Sequence, residues 1–187
     1  MKKTLRHLPQ NKRDELKSVI SIIRERCSDV EMIILFGSYA RGNWKEDADL
    51  KPKRKSGHKS DYDILAVTKE KSTDSDTGIW YQITQKCNEL ALSTHVRIIV
   101  HDIQHLNIQL AEGQYFFSDI KKEGCFLYDS ENFKLAKKRK LKSDEQKRIA
   151  QDYYDSWFES AKDFWFMFEK CFETKRIKKE KRGQVRV

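Results

Sequence analysis

Met32-Ile33-Ile34-Leu35-Phe36-Gly37-Ser38, followed downstream by Asp61-Tyr62-Asp63-Ile64-Leu65-Ala66-Val67, decides the reading of this chain. Each half holds a short apolar run bounded by polar or glycine residues, the pattern of a buried strand. A strand that ends in Gly37-Ser38 and opens a helix leaves backbone N–H groups facing solvent, where a phosphate can sit, and Ser38 adds a hydroxyl donor. Side chains alternate along a strand, so Asp61 and Asp63 point to one face and can share a hard cation such as Mg²⁺. Phosphate and Mg²⁺ together suggest nucleotide chemistry.

Outward from these runs, strands and helices alternate. A first amphipathic helix is expected from about residue 11 to 27, with Leu16, Val19, Ile20, Ile23 and Cys27 on one face. Val30 to Phe36 is a strand, Ser38 to Arg41 begins a helix, and Ile64 to Val67 is the second strand. Gly78 to Ser93 reads as a helix and Val96 to Val100 as a third strand. Residues 103 to 122 read as helical with a break near Gly113, and Cys125 to Tyr128 as a last strand. The expected class is α+β, a short mixed sheet flanked by helices.

Between the two halves of the motif, residues 43 to 60 hold Lys45, Lys51, Lys53, Arg54, Lys55 and Lys59 with Pro52 and Gly57, the composition of a mobile surface loop. Asp47 and Asp49 form a rival acidic pair there. Leu50-Lys51-Pro52-Lys53-Arg54 follows it and cannot continue as a buried strand, whereas Asp61-Tyr62-Asp63 leads straight into one.

The composition changes after Asp129. We expect a domain over residues 1–130, a basic connector over 131–143, a long helix over 144–174 and a disordered basic tail over 175–187. The helix carries Tyr153, Tyr154, Trp157, Phe158, Phe164, Trp165, Phe166, Phe168 and Phe172, too apolar a set to stand alone in water. The tail holds seven Lys or Arg.

The chain of 187 residues suits one core with an extended C-terminal element. Its formal net charge of +9 favours polyanionic partners without naming one, and no nucleic-acid module is recognisable. No run approaches the roughly 18 apolar residues that span a bilayer. Cys27, Cys87, Cys125 and Cys171 form no metal-binding pair and are expected to be reduced and buried, in a cytoplasmic protein. His95, His101 and His105 lack supporting ligands and read as strand-end and surface residues.

The stretch Leu35-Phe36-Gly37-Ser38-Tyr39-Ala40-Arg41-Gly42, with Ser60-Asp61-Tyr62-Asp63-Ile64-Leu65, closely resembles the nucleotidyltransferase signature of the DNA polymerase beta superfamily. It looks in particular like the minimal nucleotidyltransferases, and the aromatic helix is similar to the first helix of the HEPN domains found with them. The resemblance implies that Gly37, Ser38 and Arg41 hold phosphates of ATP or another NTP, and that Asp61 and Asp63 bind two Mg²⁺ or Mn²⁺ ions that bridge the triphosphate and the attacking hydroxyl, a two-metal mechanism. A nucleoside monophosphate, AMP from ATP, would pass to a hydroxyl.

Such enzymes carry a third carboxylate on a later strand, where this chain has Arg97. A guanidinium neither binds a metal nor accepts a proton, so His101 or Asp102 would have to substitute. The alternative function is a catalytically weak binding module of antitoxin type. It would hold a HEPN-type protein or a second copy through the aromatic helix. No histidine follows Arg148, so the HEPN ribonuclease motif is missing.

Overall fold

The computed structural model describes residues 1–2, 4–50 and 58–174. The lysine-rich part of the expected surface loop, 51–57, and the expected basic tail, 175–187, lie outside the described residues. Two compact units are present, one of Met1 to Arg139 and one beginning at Lys140.

In the first unit, β1 (Val30–Phe36), β2 (Tyr62–Thr68), β3 (Val96–Asp102) and β4 (Cys125–Asp129) form one sheet in the order β3-β2-β1-β4. β1 is antiparallel to both β2 and β4, while β2 and β3 run parallel. The two inner strands are covered on both faces, which explains why they read as continuous apolar runs rather than as alternating ones.

One face packs against α1 (Gln10–Arg26) and α4 (Thr77–Glu89): Leu16, Val19 and Ile23 meet Ile33, Leu35, Ile64, Ala66 and Ile83. The other packs against α5 (Ile103–Glu112) and α6 (Tyr115–Glu123), where Met32, Ile34, Leu65 and Val67 meet Leu106, Leu110, Phe117 and Ile120. Each fully buried Leu or Ile contributes about 1.5–3 kcal/mol of transfer free energy, so these two clusters dominate the fold.

Caps set the helix limits. Asp76 accepts the Gly78 and Ile79 N–H groups at the start of α4, and Asp102 accepts those of Gln104 and His105 at the start of α5, each bond 2.9–3.0 Å long. The expected break near Gly113 is the C-terminal stop of α5, where Gly113 takes φ +73°. α4 ends at Glu89, earlier than the sequence pattern suggests, because Ser93 is drawn out of the helix by bonds to Glu15.

Two further differences from the sequence reading emerge. Part of the expected basic connector, 131–143, packs on the first unit: Phe133, Leu135 and Ala136 join the second cluster, and the Asn107 side chain bonds Lys134 O and the Ala136 N–H. Cys27, Cys87 and Cys125 are buried free thiols pushed up in pKa by burial, as expected, but Cys171 is exposed.

The second unit holds one long helix, α7 (Ser143–Glu173), whose first turn is closed by the Glu145 carboxylate accepting the Lys142 N–H at 2.9 Å. Taken by itself, this helix presents Trp157, Phe164, Trp165 and Phe172 as exposed side chains. No described helix is long and apolar enough to cross a membrane. The α+β class, with a mixed four-stranded sheet and a long C-terminal helix, stands as the sequence suggests.

Candidate functional site

Strand register builds the site. Phe36 of β1 lies opposite Asp63 of β2, which lies opposite Arg97 of β3. Residues opposed in a sheet share a face, so the Asp63 and Arg97 side chains emerge together. Asp61 precedes β2 by one residue. Its segment is pinned on both sides: Ser60 exchanges bonds with Lys45, the Thr94 hydroxyl donates to Ser60 O at 2.5 Å, and the Tyr62 N–H donates to His95 O at 2.8 Å.

At the end of β1 the chain turns sharply into α2 (Gly37–Arg41), with Gly37 at φ +71°. The Asp63 carboxylate lies directly against the Gly37 Cα. A Cβ built there would overlap Asp63 Oδ2 and stand 3.2 Å from its Cγ. Glycine is therefore required twice over, by the backbone angle and by the neighbour. The turn is closed by Ser38 O, which accepts the Gly42 and Asn43 N–H groups at 2.9 and 3.1 Å. Among the described residues the Ser38 hydroxyl has no partner.

Burial raises the Asp63 carboxyl above the usual carboxylate range. The Asp61 charge pushes the same way, while Arg97 and Arg41 oppose it. Asp61, Arg97 and Arg41 thus all lie within electrostatic reach of Asp63. Arg41 also pairs with Glu123 of α6 at 3.5 Å, and together with Phe36, Gly37 and Phe116 they line a cavity of about 220 Å³. A larger cavity of about 370 Å³, lined by Lys59, Asn88, Leu92, Thr94 and His95, includes neither aspartate nor Gly37.

His101 and Asp102, the expected substitutes for a third carboxylate, stand elsewhere. In the parallel register they oppose Val67 and Thr68, four and five residues along from Arg97, about 13 and 16 Å at the strand rise. Asp102 is already engaged in capping α5, and His101 is stacked on His105 with its pKa lowered by burial. They are removed from the candidate site. The rival pair is spent on a single 3₁₀ turn, Asp47–Asp49: Asp49 accepts the Glu46 N–H, and Asp47 pairs with Lys59 at 2.7 Å.

A polar network beneath the site escaped the sequence reading. Tyr62, the residue between the two aspartates, points to the opposite face and donates its hydroxyl to Glu15 Oε2 at 2.7 Å. The same carboxylate accepts the Ser93 hydroxyl at 2.7 Å and its N–H at 3.2 Å. Lys12, almost wholly buried, donates to Ser93 Oγ at 2.5 Å and pairs with Glu46 at 2.7 Å. Tyr39 packs on Tyr62 and Trp44, and burial pushes its hydroxyl up to about 12. No local signal in the sequence marks Glu15, because its partners lie 47 and 78 residues away.

The network anchors the start of β2 and therefore both carboxylates. Tyr62→Phe leaves Glu15 short of a donor in a half-buried position, at a cost of about 1–3 kcal/mol. We expect a lower melting midpoint, read by thermal unfolding, and a variant with the wild-type midpoint would show that the anchor contributes nothing to the fold.

Among the described residues no group of three or more His, Cys, Asp and Glu forms a metal cage. Two carboxylates fit Mg²⁺ nonetheless, since this ion is held by one or two carboxylates with phosphate oxygens and water making up the rest. The burial that raises Asp63 and the neighbouring like charge of Asp61 are conditions that a cation relieves.

A family model described as polymerase beta, nucleotidyltransferase matches residues 17–132, more than half of the chain. No protein of curated function matches the sequence. Three solved structures show a distant likeness. A chain of a toxin–antitoxin crystallised with AMP-PNP is 15% identical, with a TM-score of 0.41 over 84% of this chain and 98% of that one. A chain of the MntA–HepT toxin–antitoxin is 13% identical, with a TM-score of 0.36 over 84% and 97%. A chain from the complex of a tri-AMPylated Shewanella oneidensis HEPN toxin with an MNT antitoxin is 12% identical, with a TM-score of 0.36 over 84% and 96%. On the match over residues 17–132, which spans every strand of the sheet and both halves of the motif, the chain belongs to the polymerase beta nucleotidyltransferase family.

Proposed function

We propose that this chain transfers a nucleoside monophosphate, AMP from ATP, to a hydroxyl acceptor. The observation that supports the reading is the contact of Gly37 with the Asp63 carboxylate, one of the two expected metal ligands beside the expected phosphate-binding turn. The Gly37 backbone, the Ser38 hydroxyl and the Arg41 guanidinium hold the β- and γ-phosphates. Asp61 and Asp63 hold Mg²⁺ or Mn²⁺, which when bound neutralises the triphosphate and polarises the α-phosphate. The acceptor oxygen forms a bond to the α-phosphorus, the bond to the β-phosphate oxygen breaks, and pyrophosphate leaves. Positioning and charge neutralisation supply the acceleration.

In this reading residues 1–130 are the transferase domain and 131–143 lead to a HEPN-like aromatic helix over 144–174, in a cytoplasmic protein. Incubation with ATP labelled in the α-phosphate tests it. Label is expected in an acceptor only with Mg²⁺ or Mn²⁺ present, and chelation with EDTA is expected to stop transfer and pyrophosphate release. Label that persists in EDTA would overturn the two-carboxylate mechanism.

A second reading, a binding module of antitoxin type with weak transfer or none, is favoured by Arg97 and by the aromatic surface of α7. Its partner would be a HEPN-type protein or a second copy of the chain, and nucleic acid has less support. Size-exclusion chromatography with light scattering tests the self-association form: a dimer is expected, reduced to monomer by Trp157→Glu with Trp165→Glu, and a wild-type monomer would exclude it.

A further inference from the structure

The row Phe36, Asp63, Arg97 gives the site two sides. Gly37, Ser38 and Arg41 follow from the end of β1 on one side, and Arg97 stands on β3 on the other. In-line displacement keeps the attacking and leaving oxygens on opposite sides of the phosphorus. With the pyrophosphate portion on the Gly37 side, the acceptor must enter from the side of Arg97.

Three observations describe what that side offers. Arg97 is exposed, and among the described residues its guanidinium makes no ion pair or hydrogen bond, although its charge reaches Asp63. β3 is an outer strand of the sheet, so among the described residues its far edge carries unpaired main-chain groups. An extended polypeptide can pair with such an edge. The sign of the charge at this position is the reverse of a carboxylate's, which turns repulsion of an anionic acceptor into attraction.

We propose that Arg97 is a specificity-determining residue that selects, as acceptor, a polypeptide hydroxyl flanked by an Asp or Glu carboxylate. This rests on the nucleotidyl-transfer reading above. The acceptor lies along β3 with its carboxylate paired to Arg97 and its hydroxyl directed at the α-phosphorus. The hydroxyl oxygen bonds to phosphorus, pyrophosphate takes the displaced electron pair, and the hydroxyl proton passes to solvent water at the open edge.

The test uses the full chain with Mg²⁺ and a non-transferable ATP analogue, and follows fluorescent peptides by anisotropy. One peptide has a central tyrosine between two glutamates, and its twin has two glutamines. Wild type is expected to bind the acidic peptide about fivefold more tightly, the size of one exposed charge pair. Arg97→Gln should erase the preference, Arg97→Lys should retain part of it, and Arg97→Glu should invert it toward a lysine-flanked peptide.

Equal binding of the two peptides by wild type, no binding of either, or a preference unchanged in Arg97→Gln would overturn the proposal. So would an RNA bearing a free 3′-hydroxyl that binds more tightly than the acidic peptide and loses affinity in Arg97→Gln. Failure of the transfer reading looks different: the peptide preference persists, yet ATP labelled in the α-phosphate marks no acceptor.

Discussion

Asp63→Asn is expected to abolish transfer and at the same time to raise the melting midpoint of the nucleotide-free protein. The first effect follows, in the proposed mechanism, from removing one of the two carboxylates assigned to the cation. Loss of about 4 kcal/mol of charge stabilisation in the transition state lowers the rate by roughly a thousandfold. The second follows from burial, which disfavours the Asp63 anion in the folded state and raises its pKa. Because the folded value lies above the unfolded one, the folded protein binds the extra proton. This contribution to stability is greatest at low pH and is lost as pH rises from the ordinary carboxylate range through the raised value.

Wild-type nucleotide-free protein should therefore show a descending component of stability across that window, and Asp63→Asn should lack it. Affinity for Mg²⁺ with nucleotide runs the other way and strengthens as Asp63 loses its proton. Calorimetric melting curves from pH 4 to 8 check the first sign and titration calorimetry the second. A variant that is both inactive and less stable across this range would refute the account of Asp63 as a functional anion held at a cost to stability.

Gly37→Ala is the second large effect. Alanine at φ +71° costs about 1–2 kcal/mol in backbone strain alone, and its Cβ would overlap the Asp63 carboxylate. Something must shift, and the carboxylate is the freer of the two. We expect a loss of roughly 2 kcal/mol, a midpoint about 4–8 °C lower for a chain of this size, and a fall in transfer of about a hundredfold from displacing Asp63. Gly37→Ala combined with Asp63→Asn should be clearly non-additive, because both changes act through one contact. Additivity of the two in transfer rate would place the effect of Gly37 elsewhere.

Much of this architecture is legible in the residues themselves. Val30 to Phe36 reads as a buried strand because both faces of β1 are covered, and periodicity alone separates α1, α4 and α5 from the strands. Gly37 announces a turn, and Asp63 opens a run too apolar to be anything but interior. What single residues do not reveal is register. His101 and Asp102 follow Arg97 closely in sequence, yet an extended chain carries them about 13 and 16 Å from it. Nor does the sequence disclose that Tyr62 reaches Glu15, or that a lysine, Lys12, is buried, since these depend on pairings across tens of residues. The packing of Phe133, Leu135 and Ala136 is hidden for another reason: the lysines around them dominate the local composition.

The place of β1 between β2 and β4 has a consequence for synthesis. Its partner on one side ends at Thr68, but the other is Cys125–Asp129, 93 residues past Phe36. At roughly 5–20 residues per second, a ribosome needs about 5–20 s to deliver that last strand. Until β2 is made Met32 to Leu35 are unpaired, and from then until β4 arrives they present an apolar, half-paired border in the nascent polypeptide, open to chaperones and to neighbouring nascent chains alike.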